Sequence, residues 1–185
     1  MEFLTEAQLE SGLDEIRCSP DDSGELKLIV SRPAVDRRVI QESGELSVTE
    51  GLVGDTWNMR GSKHTEDGLA HPEYQLNIMN SRAIALVAQH PDRWSLAGDQ
   101  LFVDLNLGGV NLPVGIQLSI GTAVIEVTSP PHTGCDKFKA RFGRDAVKFV
   151  NSPVGRELNL RGINAKVVRP GRIRTGDAVK KLPND

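Results

Sequence analysis

The chain keeps interrupting itself. Short stretches that alternate apolar and polar residues, "ELKLIVSRP" (25–33), "RRVIQES" (37–43), "GELSVTE" (44–50), "YQLNIMN" (74–80), "QLFVDLNL" (100–107), "QLSIG" (117–121), "AVIEVTS" (123–129), "NAKVVRPG" (164–171) and "DAVKKL" (177–182), are cut off by Gly, Pro, Asn or Asp. Segments of this length with a period of two read as half-buried strands. Their spacing, without a helix between each pair, favours a β-barrel or folded sheet over repeated β-α units. In the first of them Leu26, Leu28 and Val30 are the alternating set.

Helical periodicity is confined to a few places. Residues 5–16 open with the Thr5/Gln8 capping-box pattern, and Leu4, Leu9, Leu13 and Ile16 fall at roughly helical spacing. Residues 81–90 follow a candidate cap at Ser81, and 136–152 cluster Phe138, Phe142, Val147 and Phe149, with Gly143 as a point where that helix can break. The turn-rich "CSPDDSG" (18–24) separates residues 1–24, a helical extension, from a main domain over 25–185. "HPDRW" (90–94) reads as a turn in which Trp94 packs. The polar, aperiodic stretch 59–73 is long enough to be functional or mobile.

Charge excludes some partners. With 22 basic and 25 acidic residues, net −3, no global field draws in nucleic acid or an anionic membrane. No apolar run approaches the roughly 18 to 20 residues that span a bilayer, and the N-terminus is acidic where a secretion signal is basic, so a cytoplasmic protein is expected. In that compartment Cys18 and Cys135 are read as free thiols. Neither belongs to a Cys-x-x-Cys pair, and His64, His71, His90 and His132 form no His-x-x-x-His pair, which gives a structural zinc site no support.

The stretch with most chemistry is "PPHTGCDKF" (130–138). Cys135 follows a strand and precedes a helix start at Asp136. Unpaired amides there, with His132, Lys137, Lys139 and Arg141 nearby, favour a thiolate, which is a nucleophile or a soft metal ligand. The plain alternative is a small residue filling a tight turn. His132 is also a candidate general base for Cys135. Arg161-Gly162 joins a guanidinium to a residue that permits close backbone approach, as a grip on a phosphate or other oxyanion requires. Arg172 and Arg174 flank Ile173 and so share the opposite strand face, either as oxyanion ligands or as solvated edge charges. Asp104 and Asn106 share a face, with Asn106 available to a ligand. Asp55 and Asp177, each after a glycine, read as turn formers.

In order, "GLVGD" (51–55), "NLGGVNLPVGIQLSIGTAVIEVTSPP" (106–131), Cys135, "RGINAKVV" (161–168) and "GRIRTGDAV" (171–179) resemble the MOSC domain, over about residues 45–183. The resemblance implies a mainly β, barrel-like fold with a few short helices. It implies that Cys135 is the reactive residue, ligating the molybdenum of a pterin cofactor or carrying persulfide sulfur. Arg161, with Arg172 or Arg174, would then hold the cofactor's phosphate, and Asn106, His132 and Lys137 would complete the cofactor site. The family includes the C-terminal part of pyridoxal-phosphate-dependent sulfurases, but no pyridoxal phosphate is expected in this chain. Many relatives carry proline where Gly134 precedes the cysteine, and a histidine or aromatic soon after the first Gly-Asp, where this chain has Trp57 and later His64. The expected partners are a small-molecule cofactor or substrate and a protein that supplies electrons or sulfur. The expected activity is reduction of N-hydroxylated substrates at a Cys-ligated molybdenum, or sulfur transfer. The competing classes are a non-catalytic anion-binding module with a structural cysteine and a Cys-His hydrolase.

Overall fold

The computed structural model describes residues 2–62 and 65–183, so His64 lies outside the described residues. In chain order the strands are β1 (Ser23–Ser31), β2 (Val39–Gln41), β3 (Ser43–Ser47), β4 (Gly51–Leu52), β5 (Leu76–Asn80), β6 (Leu101–Asp104), β7 (Gln117–Ile120), β8 (Ala123–Val127), β9 (Ile163–Arg169), β10 (Gly171–Arg174) and β11 (Ala178–Lys181). The order β11-β7-β8-β9-β5-β6-β1 closes on itself because β1 also pairs with β11, and β2 hangs on the outside of β1. Closure removes the unpaired edges that short strands would otherwise expose. Among the described residues only β5 and β6 pair in parallel. A small sheet, β10-β3-β4, packs at the side.

Alternation along the strands sorts side chains into two cores. On β6, Leu101 and Val103 point into the barrel while Phe102 points outward, and on β5 Ile78 and Met79 divide the same way. β1 departs from the expected Leu26/Leu28/Val30 alternation. A bulge between Leu26 and Leu28 shifts the register, so Leu26 and Ile29 fill the barrel and Val30 faces the helices.

The outward core is covered by α1 (Glu6–Ser11), α2 (Leu13–Arg17), α3 (Ser81–Ala88), α4 (Asp136–Phe142), α5 (Arg144–Asn151) and α6 (Pro153–Glu157). Leu9 and Ile16 join Phe102, Phe138, Phe142 and Phe149 there, each buried ring contributing about 2 kcal/mol. The Thr5/Gln8 capping box forms as read. The cap of α3 is Asn80, not Ser81: its side chain accepts from the N–H groups of Arg82 and Ala83 at 2.8 and 3.0 Å. Gly143, at φ 93°, does break the third helical region, and a side chain there would collide with Phe3 at 2.8 Å. Among the described residues no helix is long and apolar enough to cross a membrane.

Candidate functional site

β8 ends at Val127, and the chain then crosses the barrel end through residues 128–135. Four contacts fix this crossing. Thr128 Oγ1 donates to the Glu73 carbonyl at 2.6 Å, and Asn164 Nδ2 donates to the Pro130 carbonyl at 2.9 Å. Asn151 clamps Gly134 from both sides, accepting its N–H at 2.9 Å and donating to its carbonyl at 3.1 Å. His132 Nε2 meets Asp99 Oδ1 at 2.8 Å.

Asp99 is fully buried. Arg161 Nη1 donates to both of its oxygens at 2.9 and 2.7 Å, while Nη2 donates to the Ala97 carbonyl at 3.0 Å. The Arg161 guanidinium lies 4.9 Å from the centre of the Phe138 ring. Burial pushes the Asp99 carboxyl up, but Arg161 and then His132 outweigh it, holding it at about 2. A carboxylate can only accept, so His132 Nε2 carries the proton and Nδ1 keeps its lone pair. Burial, then the Arg161 charge, hold His132 below the usual imidazole range, with Asp99 opposing more weakly. Gly162, at φ 114°, allows this packing: a Cβ there would sit 2.2 Å from the Ile78 carbonyl oxygen and 3.1 Å from the His132 ring.

A second buried pair stands close by. Arg32 gives Nε and Nη2 to the two oxygens of Asp55 at 2.7 and 2.9 Å, and Nη1 to Asn77 Oδ1 and the Gly98 carbonyl at 2.8 and 2.9 Å. Asn77 in turn donates to Asn164 at 2.7 Å, linking this pair to the crossing segment.

Above the Arg32 network opens a cavity of about 380 Å³, lined by Arg32, Trp57, Arg60, Gly61, Ser62, His71, Tyr74, Asn77 and His132. The aperiodic stretch 59–73 supplies part of its wall. Arg60 forms no ion pair with a carboxylate among the described residues; Nε and Nη2 both donate to Thr56 Oγ1. Burial and then the neighbouring Arg32 charge lower its proton affinity. Arg38, whose affinity falls through burial and then the charges of Arg141 and Arg32, has a buried Nε without a hydrogen-bond partner among the described residues. This region carries more positive charge than its acids balance.

Cys135 is exposed, as is Cys18, and both are free thiols. Cys135 caps α4 through its carbonyl, which accepts from Lys139 N–H at 2.9 Å. Three residues of chain, at most roughly 10 Å, separate it from His132. No hydrogen bond joins the two among the described residues, and His132 is held by Asp99 instead, so the general-base pairing expected from sequence is not formed. Lys137 is exposed on the first turn of α4.

Other expected ligands are engaged elsewhere. Arg161 is buried, with Nη1 committed to Asp99, Nη2 to the Ala97 carbonyl and Nε without a hydrogen-bond partner among the described residues, so its bonded nitrogens support His132 through Asp99. Arg172 and Arg174 are exposed opposite buried Ile173, as their alternation required. They lie beyond the start of β8, where Thr122 N–H donates to the Arg172 carbonyl, whereas His132 and Cys135 follow its end. The five residues of β8, roughly 16 Å, come between. The two arginines line a different cavity of about 430 Å³. Asn106 is spent on a turn: its Oδ1 accepts from Gly108 N–H and its Nδ2 donates to Asp21. β6 stops at Asp104, before Asn106. Asp55 is an ion-pair partner more than a turn former, while Asp177 does cap its own turn by accepting from Arg174 N–H at 2.7 Å.

Sequence reasoning passed over Arg32, Asn77, Asp99 and Asn164. A signal for one of them was there: Gly98-Asp99 repeats the Gly-Asp pattern of Gly54-Asp55 and Gly176-Asp177.

The MOSC domain matches residues 65–180, and the chain belongs to the MOSC domain family, which is associated with the molybdenum cofactor. Its fold is similar to that of the YuaD protein from Bacillus subtilis, at a TM-score of 0.63 and 15% identity, covering 88% of this chain and 97% of that one. It is also similar to YiiM from Escherichia coli, at a TM-score of 0.54 and 19% identity, covering 87% and 71%. No curated protein matches the sequence. Nothing in these comparisons concerns pyridoxal phosphate.

Proposed function

We propose that this protein binds a molybdenum cofactor, with Cys135 as the metal's protein ligand and the cavity beside His132 receiving the pterin and its phosphate. The carrying observation is the donor set. No three His, Cys, Asp or Glu residues among those described converge to hold a bare metal ion. A metal that arrives with its own sulfur ligands needs only one more, and an exposed thiol suits it. The cavity fits the rest of the group. Arg60, without a carboxylate partner among the described residues, would balance a phosphate, and Trp57 and Tyr74 line the same cavity. When bound, the cofactor would supply two-electron redox chemistry. Reduction of N-hydroxylated substrates then requires a protein electron donor.

The exposure of Cys135 favours one second reading. A thiol open to solvent can be reached by a donor protein and hold sulfur as a persulfide.

Expression in a molybdate-fed host that makes the cofactor, with wild type and Cys135→Ala compared, separates these readings. Stoichiometric molybdenum in the wild type, lost in the variant, is the expected result. Molybdenum in neither, with a persulfide on Cys135 by mass spectrometry, would favour the sulfur carrier. Neither species would leave an anion-binding module.

A further inference from the structure

We infer that His132 is the proton-transfer residue of this site, with Asp99 and Arg161 as its positioning residues. The inference rests on the cofactor reading above, and its geometry stands without the cofactor. His132 is a single ring shared by the walls of three cavities: the cationic one of about 380 Å³, one of about 370 Å³ lined in part by Leu112, Thr128 and Asn164, and one of about 200 Å³ beside Asn151 and Arg156. Its side chain is 17% exposed.

One nitrogen is fixed and the other is free. Nε2–H is committed to Asp99 at 2.8 Å, whereas Nδ1 has no partner among the described residues and is not among the polar atoms sealed from solvent. The ring cannot turn over without breaking that bond, and it is seated on Gly162. Asp99 cannot drift either, because Arg161 Nη1 holds both its oxygens and Arg161 is itself anchored to the Ala97 carbonyl and stacked on Phe138. A structural histidine would be expected to use both nitrogens or bury the second. This arrangement leaves a basic lone pair at a cavity wall and backs it with a carboxylate.

The charged groups around the ring are Asp99, Arg161 and Arg32. Asp99 stabilises the imidazolium that forms when Nδ1 takes a proton, while burial, then Arg161 and more weakly Arg32, keep it transient. For an N-hydroxylated substrate the balance is R–NH–OH + 2 H⁺ + 2 e⁻ → R–NH₂ + H₂O. The electrons come from the redox protein partner. The N–O bond breaks, His132 Nδ1–H delivers one proton to the departing oxygen, which leaves as water, and the nitrogen takes the second from solvent. His132 returns to its neutral form.

Two measurements test this. In the protein without cofactor, ¹⁵N-resolved NMR of the imidazole at pH 7 should show the neutral Nε2–H form, and Asp99→Asn should shift the tautomer balance. An Nδ1–H form in the wild type would overturn the inference. In the cofactor-loaded protein, His132→Gln retains a donor toward Asp99 but has no base at the Nδ1 position. It should fold and keep its cofactor, yet lose N-hydroxyl reduction about a hundredfold. His132→Ala should regain activity with added imidazole. Wild-type rates in His132→Gln would overturn the inference and leave the cofactor reading intact. A loaded wild type inactive on every N-hydroxylated substrate would sink the reductase reading instead, and the tautomer would then decide whether His132 presents a base to the cavity.

Discussion

Two buried aspartate–arginine pairs sit side by side beneath the cavity, and they differ in how they end. Asp55 accepts from Arg32 Nε and Nη2 and also from the backbone N–H groups of Arg32 and Trp57, and the remaining Arg32 nitrogen is spent on Asn77 and the Gly98 carbonyl. That pair is closed. Asp99 is held as firmly by Arg161, but one of its oxygens also takes the N–H of His132, whose ring lines the cavity and whose other nitrogen has no hydrogen-bond partner among the described residues. The second pair has an outlet. Burying an ion pair is at best neutral for stability compared with apolar packing, so the pair with an outlet is where a functional explanation is needed, and the closed one is accounted for as scaffold.

Removing either carboxylate tests the comparison most severely. Asp55→Asn and Asp99→Asn each strand a buried guanidinium and should cost about 3–5 kcal/mol in urea unfolding. They should part company in a second readout: only Asp99→Asn alters the His132 tautomer. If Asp55→Asn changes the tautomer equally, the two pairs form one unit and the distinction fails.

Acid sharpens the contrast next. Asp99 titrates at about 2 in the folded protein against an ordinary 3.8. A carboxyl with a depressed folded value contributes stability that is complete above its unfolded value and disappears as pH falls through the folded one. The shift corresponds to roughly 2 to 3 kcal/mol, lost between about pH 4 and pH 2. Urea titrations at pH 5 and pH 2 should show that component in the wild type and not in Asp99→Asn. His132 works in the same direction at milder pH: with its folded value lowered, the unfolded chain takes up the proton first, and stability starts to decline as pH falls below about 6.5.

The smallest effects separate the arginines. Arg60→Gln should weaken retention of an anionic ligand about tenfold, the worth of one charge-assisted hydrogen bond, with little change in stability. Arg172→Gln with Arg174→Gln should leave retention unchanged and stability within about 0.5 kcal/mol. A stronger effect at Arg172 and Arg174 than at Arg60 would move the site to the other end of β8.

The fold was legible because it is written in local alternation and turn residues, which a barrel repeats strand after strand. Ile173 between Arg172 and Arg174, the Thr5/Gln8 box and the Gly143 break all follow from a few neighbouring residues. The β1 bulge was not legible, since nothing in "ELKLIVS" marks which residue is extra; pairing with β6 decides it. The site divides the same way. Cys135 and His132 stood out because they crowd one turn. Asp99, 33 residues before His132, and Arg161, 62 residues beyond Asp99, meet only when β6, β8 and β9 are assembled. Arg161 therefore read as a ligand-binding cation in sequence, where its buried partner could not be seen.

On the proposed reading the cofactor belongs at the Cys135 and His132 end of the barrel. Anomalous diffraction at the molybdenum edge from crystals of the cofactor-loaded protein tests it most directly. The expected result is a metal peak bonded to Cys135 Sγ, with pterin density entering the cavity beside Arg60 and His132. A peak bonded elsewhere, or cofactor density between Arg172 and Arg174 with Cys135 bare, would contradict it.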